Sequence, residues 1–493
     1  NTVEVTYTRV FQGEEKTVTE SYVINTQPAW LETTGNPAIA QNFMTAKVTT
    51  PAPKEFSDRL YFINNLGAAD VRASRAVWNN PVGGALQWNN PPRNAILDTK
   101  GEIRWYMKAD RIYDPESLYD AGIMMGFHQN ADGALSWGYG QHYAKYDLLG
   151  RKVFNRRLPA NYADFSHAMM PAENGGYFLR VASPDLRRAD DTRVRTVRDV
   201  IIEVDASGEV VDEWRLFEIL DPNRNIVLKS IDQGAVCLNI DTSQSGKTLS
   251  AEQLAKLEAQ HAFGDIAGTG AGRNWAHVNS VDHDPVDDSI ILSSRHQSAV
   301  VKIGRDKQVK WILAAPNGWR DGLKDKVLTP VGKDGRPLSC RIGKCEGGFD
   351  WTWTQHTAWK IDELSKGDIV YVSVFDNGDG RAFVQPEDQN EKYSRAVVYK
   401  IDQKAMTVEQ VWEYGKERGH ELYSPITSSV EYQADKNSVV VYWASIGTGS
   451  KTGPAPVLTE FRWGETKPAF EMHLKGGLGY RALPIDAQKA FVR

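Results

Sequence analysis

The sequence is poor in cysteine, almost devoid of helical periodicity, and without a long apolar run. Its 493 residues hold three cysteines: Cys237, and the near pair Cys340 and Cys345 in SCRIGKC. Without a second close pair, a four-thiolate zinc site is excluded. The near pair reads as a disulfide closing a tight loop, favoured over two free thiols, and such a bond implies an oxidising compartment. No stretch reaches the ~18 consecutive apolar residues that a membrane-spanning helix requires. Neither sign of charge is in excess: 58 Lys and Arg face 63 Asp and Glu, for a net charge of −5. Attraction of a polyanion by bulk charge is therefore excluded. The chain begins at Asn1 with no initiator methionine, charged leader or apolar leader core, which reads as a processed or truncated chain. A processed start and a local disulfide both point to a secreted or periplasmic protein. With 41% hydrophobic and 25% charged residues, the composition is globular and rules out a disordered or collagenous chain.

What is present is the grammar of strands and turns. One helix stands out, at 250–263, where Ser250 is placed as N-cap and Gln253 as its capping-box partner, with Leu254 and Leu257 forming a short apolar stripe. Elsewhere a unit repeats: an apolar strand, an Asp or its substitute, a tight turn, and a second strand often ending in Trp. It recurs at 95–106, 145–154, 201–214, 300–311, 397–412 and, degraded, at 458–472. Further strand pairs precede these hairpins, most clearly at 166–183, 276–294, 355–374 and 424–445. Four antiparallel strands per unit is the size of a propeller blade. The first hairpin lacks a front pair, and residues 479–493 supply one, so the ring is closed by its C-terminus. The expectation is an all-β chain with a six-bladed β-propeller over 76–493. Ahead of it, four alternating runs within residues 1–75 predict a small β-sandwich. Two long insertions, at about 217–274 and 315–350, carry the helix and the cysteine pair respectively, and long insertions in a compact β fold tend to be functional.

Aligning the blades by their first strands puts His167, His277 and His356 at one position in three blades. First strands line the central channel of a propeller, so three imidazoles should meet at one mouth. Arg295, at the end of a second strand, returns to the same rim, and Asn279 shares a strand face with His277. A guanidinium, an amide and three imidazoles make an anion site, with neutral imidazole as a candidate nucleophile toward phosphorus or sulfur. A single strand histidine is usually structural, and three could instead ligate zinc. Arg295 argues against the metal, because a fixed cation beside a divalent ion is unfavourable. The remaining histidines, among them His128 and His296, show no such register and read as surface or packing residues. Most of the tryptophans read as blade packing. Trp351 and Trp353, just before His356, could offer aromatic faces to a planar ligand. DNGDG at 376–380 resembles a calcium loop superficially and reads as a turn.

The expected six-bladed ring and preceding β-sandwich, the cysteine pair ahead of QHT, HVNS with an Arg further on, and SHAMM in the preceding blade together resemble the bacterial PAPS-independent arylsulfate sulfotransferases over nearly the whole chain. The resemblance implies a periplasmic homodimer that moves a sulfuryl group from a phenolic sulfate ester to another phenol, with no cofactor and no metal. It implies transient sulfation of His356, sulfate-holding roles for His167, His277, Asn279, Arg295 and Thr427, and a disulfide between Cys340 and Cys345. A protonated His167 or His277 would help the phenol depart, and Trp353 would wall the phenol site. Two rival readings are a metal-dependent hydrolase or lyase on the same scaffold, and a non-catalytic propeller that binds an anionic partner.

Overall fold

A computed structural model of the chain describes residues 2–11, 13–23, 44–66, 92–107, 122–183, 200–222, 226–232, 275–384 and 388–489, with a few isolated residues between them. The repeats become six sheets arranged as blades. The second blade is Met125–Gln129, Leu135–Tyr139, His142–Tyr146 and Lys152–Arg157. The third is Met169–Pro171, Tyr177–Val181, Val200–Val204 and Val210–Arg215. The fourth is Val278–Asp284, Ser289–Ser294, Ala299–Ile303 and Val309–Leu313. The fifth is His356–Lys360, Ile369–Asp376, Arg395–Asp402 and Thr407–Tyr414, with Thr329–Pro330 added in parallel outside. The sixth is Ser429–Gln433, Ser438–Trp443, Val457–Arg462 and Phe470–Lys475.

The repeated aspartate has a local task. Asp98, Asp147, Asp205, Asp306 and Asp402 each accept backbone N–H groups from residues two to four ahead, so the side chain closes the outer hairpin of its blade. The Val- and Ile-rich middle strands are buried on both faces because each blade is stacked between two others. Six apolar clusters result, one for each blade-to-blade interface.

Closure differs from the expectation. The first blade takes its innermost strand, Gly479–Pro484, from the C-terminal region and its second strand, Leu60–Asn65, from the N-terminal region. Ala95–Asp98 and Ile103–Tyr106 complete it. Thr45–Thr50 joins the outer edge of the sixth blade. Two of the four runs assigned to a separate β-sandwich are thus ring strands, and the ring begins near residue 45 rather than 76. Leu60–Asn65 is almost wholly buried and Thr45–Thr50 alternates, so neither resembles a front pair in isolation. The other two runs form a hairpin, Thr2–Phe11 with Glu14–Val23, that pairs with no other strand among the described residues. Closure is reinforced by buried charge: Arg59 donates to Glu460 (3.1 Å) and to Asp435 (2.8 and 3.0 Å), while Tyr61 Oη donates to Glu460 at 2.6 Å.

Of the predicted helix, the described residues retain the cap: Ser250 N–H donates to Gln253 Oε1 (2.8 Å) and Gln253 N–H to Ser250 Oγ (3.1 Å). The rest of that helix lies largely outside the described residues, as does Cys237. Cys340 and Cys345 are joined by a disulfide across a two-residue-strand hairpin. Among the described residues, no helix is long and apolar enough to cross a membrane.

Candidate active site

At one mouth of the channel the innermost strands begin with a kink. Gly126, His167, His277, Thr357 and Thr427 occur at the start of five inner strands, all in the left-handed region, with φ of 70°, 70°, 48°, 56° and 57°. Four of the five are not glycine, at a cost of about 1–3 kcal/mol each, and such strain gathers where a side chain must be aimed. At Gly126 a side chain is not possible, since a Cβ would lie 2.5 Å from Met169 N.

The kinks bring the three histidines together. One ring nitrogen from each of His167, His277 and His356 lies within 4.8 Å of the others. His277 Nε2 and His167 Nε2 are 3.2 Å apart, and Ser166 Oγ bonds His167 Nδ1. The rings are sealed from solvent, with His277 fully buried. Burial, reinforced by His296, His167, Arg295 and His356, holds the His277 pKa well below its ordinary value. Burial and the Arg295 charge lower that of His356 to about 3, although its bond to Asn377 works in the other direction. Both imidazoles are therefore neutral near pH 7.

His356 has both nitrogens defined. Thr427 N–H donates to Nε2 at 3.2 Å, and Nδ1 lies 2.8 Å from Asn377 Oδ1. The fixed positive charge is Arg295, completely buried. It donates to His296 Nε2 (2.8 Å) and to Pro425 O (3.3 Å), and lies 4.0 Å from Asp379. Its Nε meets no partner among the described residues. Asn279 donates to Gln355 O at 2.7 Å and leaves its own Oδ1 unbonded. A buried guanidinium with an uncommitted N–H, beside neutral imidazoles, suits a small tetrahedral anion.

The five polar residues placed at this mouth by their register, His167, His277, Asn279, Arg295 and His356, are found there, together with Thr427, which the resemblance alone had pointed to. Trp351 and Trp353 are not ligand walls. Both belong to the core between the fourth and fifth blades, packed edge-on against Phe349 and Phe383. The aromatic ring at the site is Tyr480, with centroids 5.8 Å from His167 and 6.4 Å from His356. No repeat signal marked it, because it lies in the strand that closes the ring. His296, read as surface or packing, packs inside the site with its ring 4.6 Å from His277. DNGDG is indeed a loop, yet it supplies Asn377 and Asp379 from directly behind the site. The described residues 226–232 of the insertion meet it: Asp232 N–H donates to both Asp379 oxygens at 3.1 and 3.2 Å.

Comparison with known proteins agrees with this geometry. Residues 45–481 match the arylsulfotransferase (ASST) family. An arylsulfate sulfotransferase AssT of Escherichia coli O6:H1 is 45% identical over 87% of this chain and 72% of its own length. The AssT of Lelliottia amnigena is 43% identical over 90% and 74%. Among solved structures, a Bacteroides caccae protein of unknown function aligns with 87% of this chain and 98% of its own, at 10% identity and a TM-score of 0.42. With a matched segment that takes in nearly all of the ring and all six of these residues, the chain belongs to the arylsulfotransferase family and is an aryl sulfotransferase.

Proposed function

We propose that the protein transfers a sulfuryl group between phenols in two steps, through a covalent adduct on His356 and without PAPS. The observation that carries this reading is a buried, neutral His356 whose Nδ1 is bonded to Asn377 and whose unprotonated Nε2 carries a lone pair that accepts from Thr427 N–H and would turn to sulfur when substrate enters. In the first step the Nε2 lone pair forms an N–S bond while the S–O(aryl) bond breaks, its electrons leaving on the phenolate. Arg295, through its uncommitted Nε–H, and Asn279, through the second N–H of its amide, would hold the sulfuryl oxygens, where developing charge is stabilised in a buried site. The departing phenolate takes a proton. His167, whose Nε2 lies 3.2 Å from His277 Nε2, and His277 are the candidate donors. In the second step an acceptor phenol attacks sulfur, loses its proton to a nearby imidazole, and the N–S electrons return to Nε2. Kinetics would be ping-pong.

Tyr480, in place of Trp353, is the aromatic surface we assign to the phenol ring. The disulfide supports an exported, periplasmic setting, and the family likeness leads us to propose a homodimer, testable by light scattering. The three imidazoles could alternatively hold a divalent metal, the reading favoured by their spacing.

Intact-mass and peptide mapping of protein mixed with an aryl sulfate and no acceptor separates these readings. A gain of roughly 80 Da on the His356 peptide, discharged by phenol and unaffected by chelator, is expected. Turnover by His356→Ala without any adduct would refute the covalent route. Loss of turnover on chelation would favour the metal.

A further inference from the structure

The loop at 376–380 sits behind the nucleophile, and its second residue is unusually constrained. The Asn377 side chain is fully buried. Its amide nitrogen donates to two backbone carbonyls, Ser424 O at 2.6 Å and Thr427 O at 3.0 Å. Two acceptors on one side of the amide leave only one orientation, in which Oδ1 faces His356 Nδ1 at 2.8 Å. An amide oxygen has no proton to give, so the proton of this bond belongs to Nδ1. The N–H of Thr427, pointing at Nε2, requires a lone pair there. Both nitrogens thus demand the same tautomer. The backbone preserves the arrangement: Gly378 has φ +83°, and a Cβ there would lie 2.0 Å from Tyr393 O. The preceding Asp376 is tied to Arg395 Nε (2.8 Å) and Trp353 N–H (2.8 Å).

We propose that Asn377 is the positioning residue for sulfuryl transfer: it locks His356 in the Nδ1–H tautomer and so selects Nε2 as the nitrogen that is sulfated. This rests on His356 being the nucleophile. The consequence extends past orientation. When Nε2 forms its bond to sulfur, the ring becomes an imidazolium that retains the Nδ1 proton, and the neutral bond to Asn377 turns charge-assisted. Asn377 therefore stabilises the adduct and the path to it more than the free enzyme, without touching substrate. An asparagine suits this task better than an aspartate. A carboxylate would also accept from Nδ1, but it could not donate to Ser424 O and Thr427 O, and its charge would favour the protonated, unreactive imidazole.

The test combines tautomer and kinetics in full-length protein labelled with 15N-histidine, with the His356 signals identified by their absence in His356→Gln. In the wild type, two-bond 1H–15N correlations should show a bare Nε2 and a protonated Nδ1. A protonated Nε2 would overturn the proposal at once. Asn377→Leu, which leaves only Thr427 N–H to select the tautomer, should show a measurable population of protonated Nε2 and release phenol with kcat down about 100-fold, while KM for the aryl sulfate changes less than about threefold. A folded Asn377→Leu with the wild-type tautomer and kcat within about twofold would overturn it. If that variant fails to fold, Asn377→Asp decides. It should show an acid limb in kcat that the wild type lacks above pH ~5, as the added charge raises the His356 pKa. An Asn377→Asp profile that is active and flat would overturn the proposal. Activity in His356→Ala alongside the expected wild-type tautomer would sink the nucleophile assignment and leave the clamp standing.

Discussion

Lowering the pH from about 7.5 to about 4.5 should scarcely slow the first half-reaction. An ordinary histidine, with a pKa near 6.5, would be only about 1% neutral at that acid pH. His356 is sealed in the channel mouth beside Arg295, which lowers its pKa to about 3. At pH ~4.5 about 97% of it therefore remains neutral. Placing a proton on it in the folded protein costs roughly 5 kcal/mol more than in water, at about 1.4 kcal/mol per tenfold change in affinity. The assay is a rapid-quench burst of phenol from a single equivalent of aryl sulfate, read across the acid range with folding checked by circular dichroism. A burst rate within about twofold over that range is expected. A burst that falls about tenfold per pH unit below 6 would mean that His356 titrates like an exposed imidazole, and the electrostatic reasoning would be refuted.

Three further perturbations test the scaffold. Arg59→Met leaves Glu460 buried without its cation where the first and sixth blades meet, and should cost about 3 kcal/mol in urea unfolding. Part of that loss should return in Arg59→Met/Glu460→Gln, and a cost below about 1 kcal/mol would show that the closure does not depend on the pair. Gly378→Ala forces a Cβ to 2.0 Å from Tyr393 O. It should lose more than about 2 kcal/mol of stability and lower kcat through the displaced Asn377; an unchanged melting temperature would count against the constraint. Cys340→Ser opens a loop between residues five apart in sequence. It should cost about 2 kcal/mol or less, as expected for so short a loop, with kcat retained, because the hairpin does not touch the histidines; a larger loss would place the insertion in the folding core.

Much of this was legible because a repeat shares geometry. The outer hairpins announced themselves through a turn aspartate that each blade needs locally, and register then carried the histidines to one rim. What depends on long-range contact was not legible. Leu60–Asn65 is read as part of a separate sandwich until its partner at Gly479–Pro484, more than 400 residues later, is in view. Tyr480 escaped for the same reason. Trp353 looked available because it precedes His356 by three residues, but the φ +48° turn at Thr354 separates them. Asn377 sits in a loop whose sequence reads as an ordinary turn. Its value comes from two carbonyls contributed by another blade, which no local pattern could contain.

The shared first blade also sets an order of assembly. Thr45–Thr50 pairs with Phe470–Lys475, and Leu60–Asn65 with Gly479–Pro484. At a synthesis rate of about 5–20 residues per second, the early strands wait tens of seconds for these partners. A chain interrupted anywhere before residue 480 lacks the strand that brings Tyr480 to the histidines. A fragment holding all three imidazoles would lack one strand of the ring and the Tyr480 ring we assign to the phenol, and would expose an unpaired sheet edge for proteases to find.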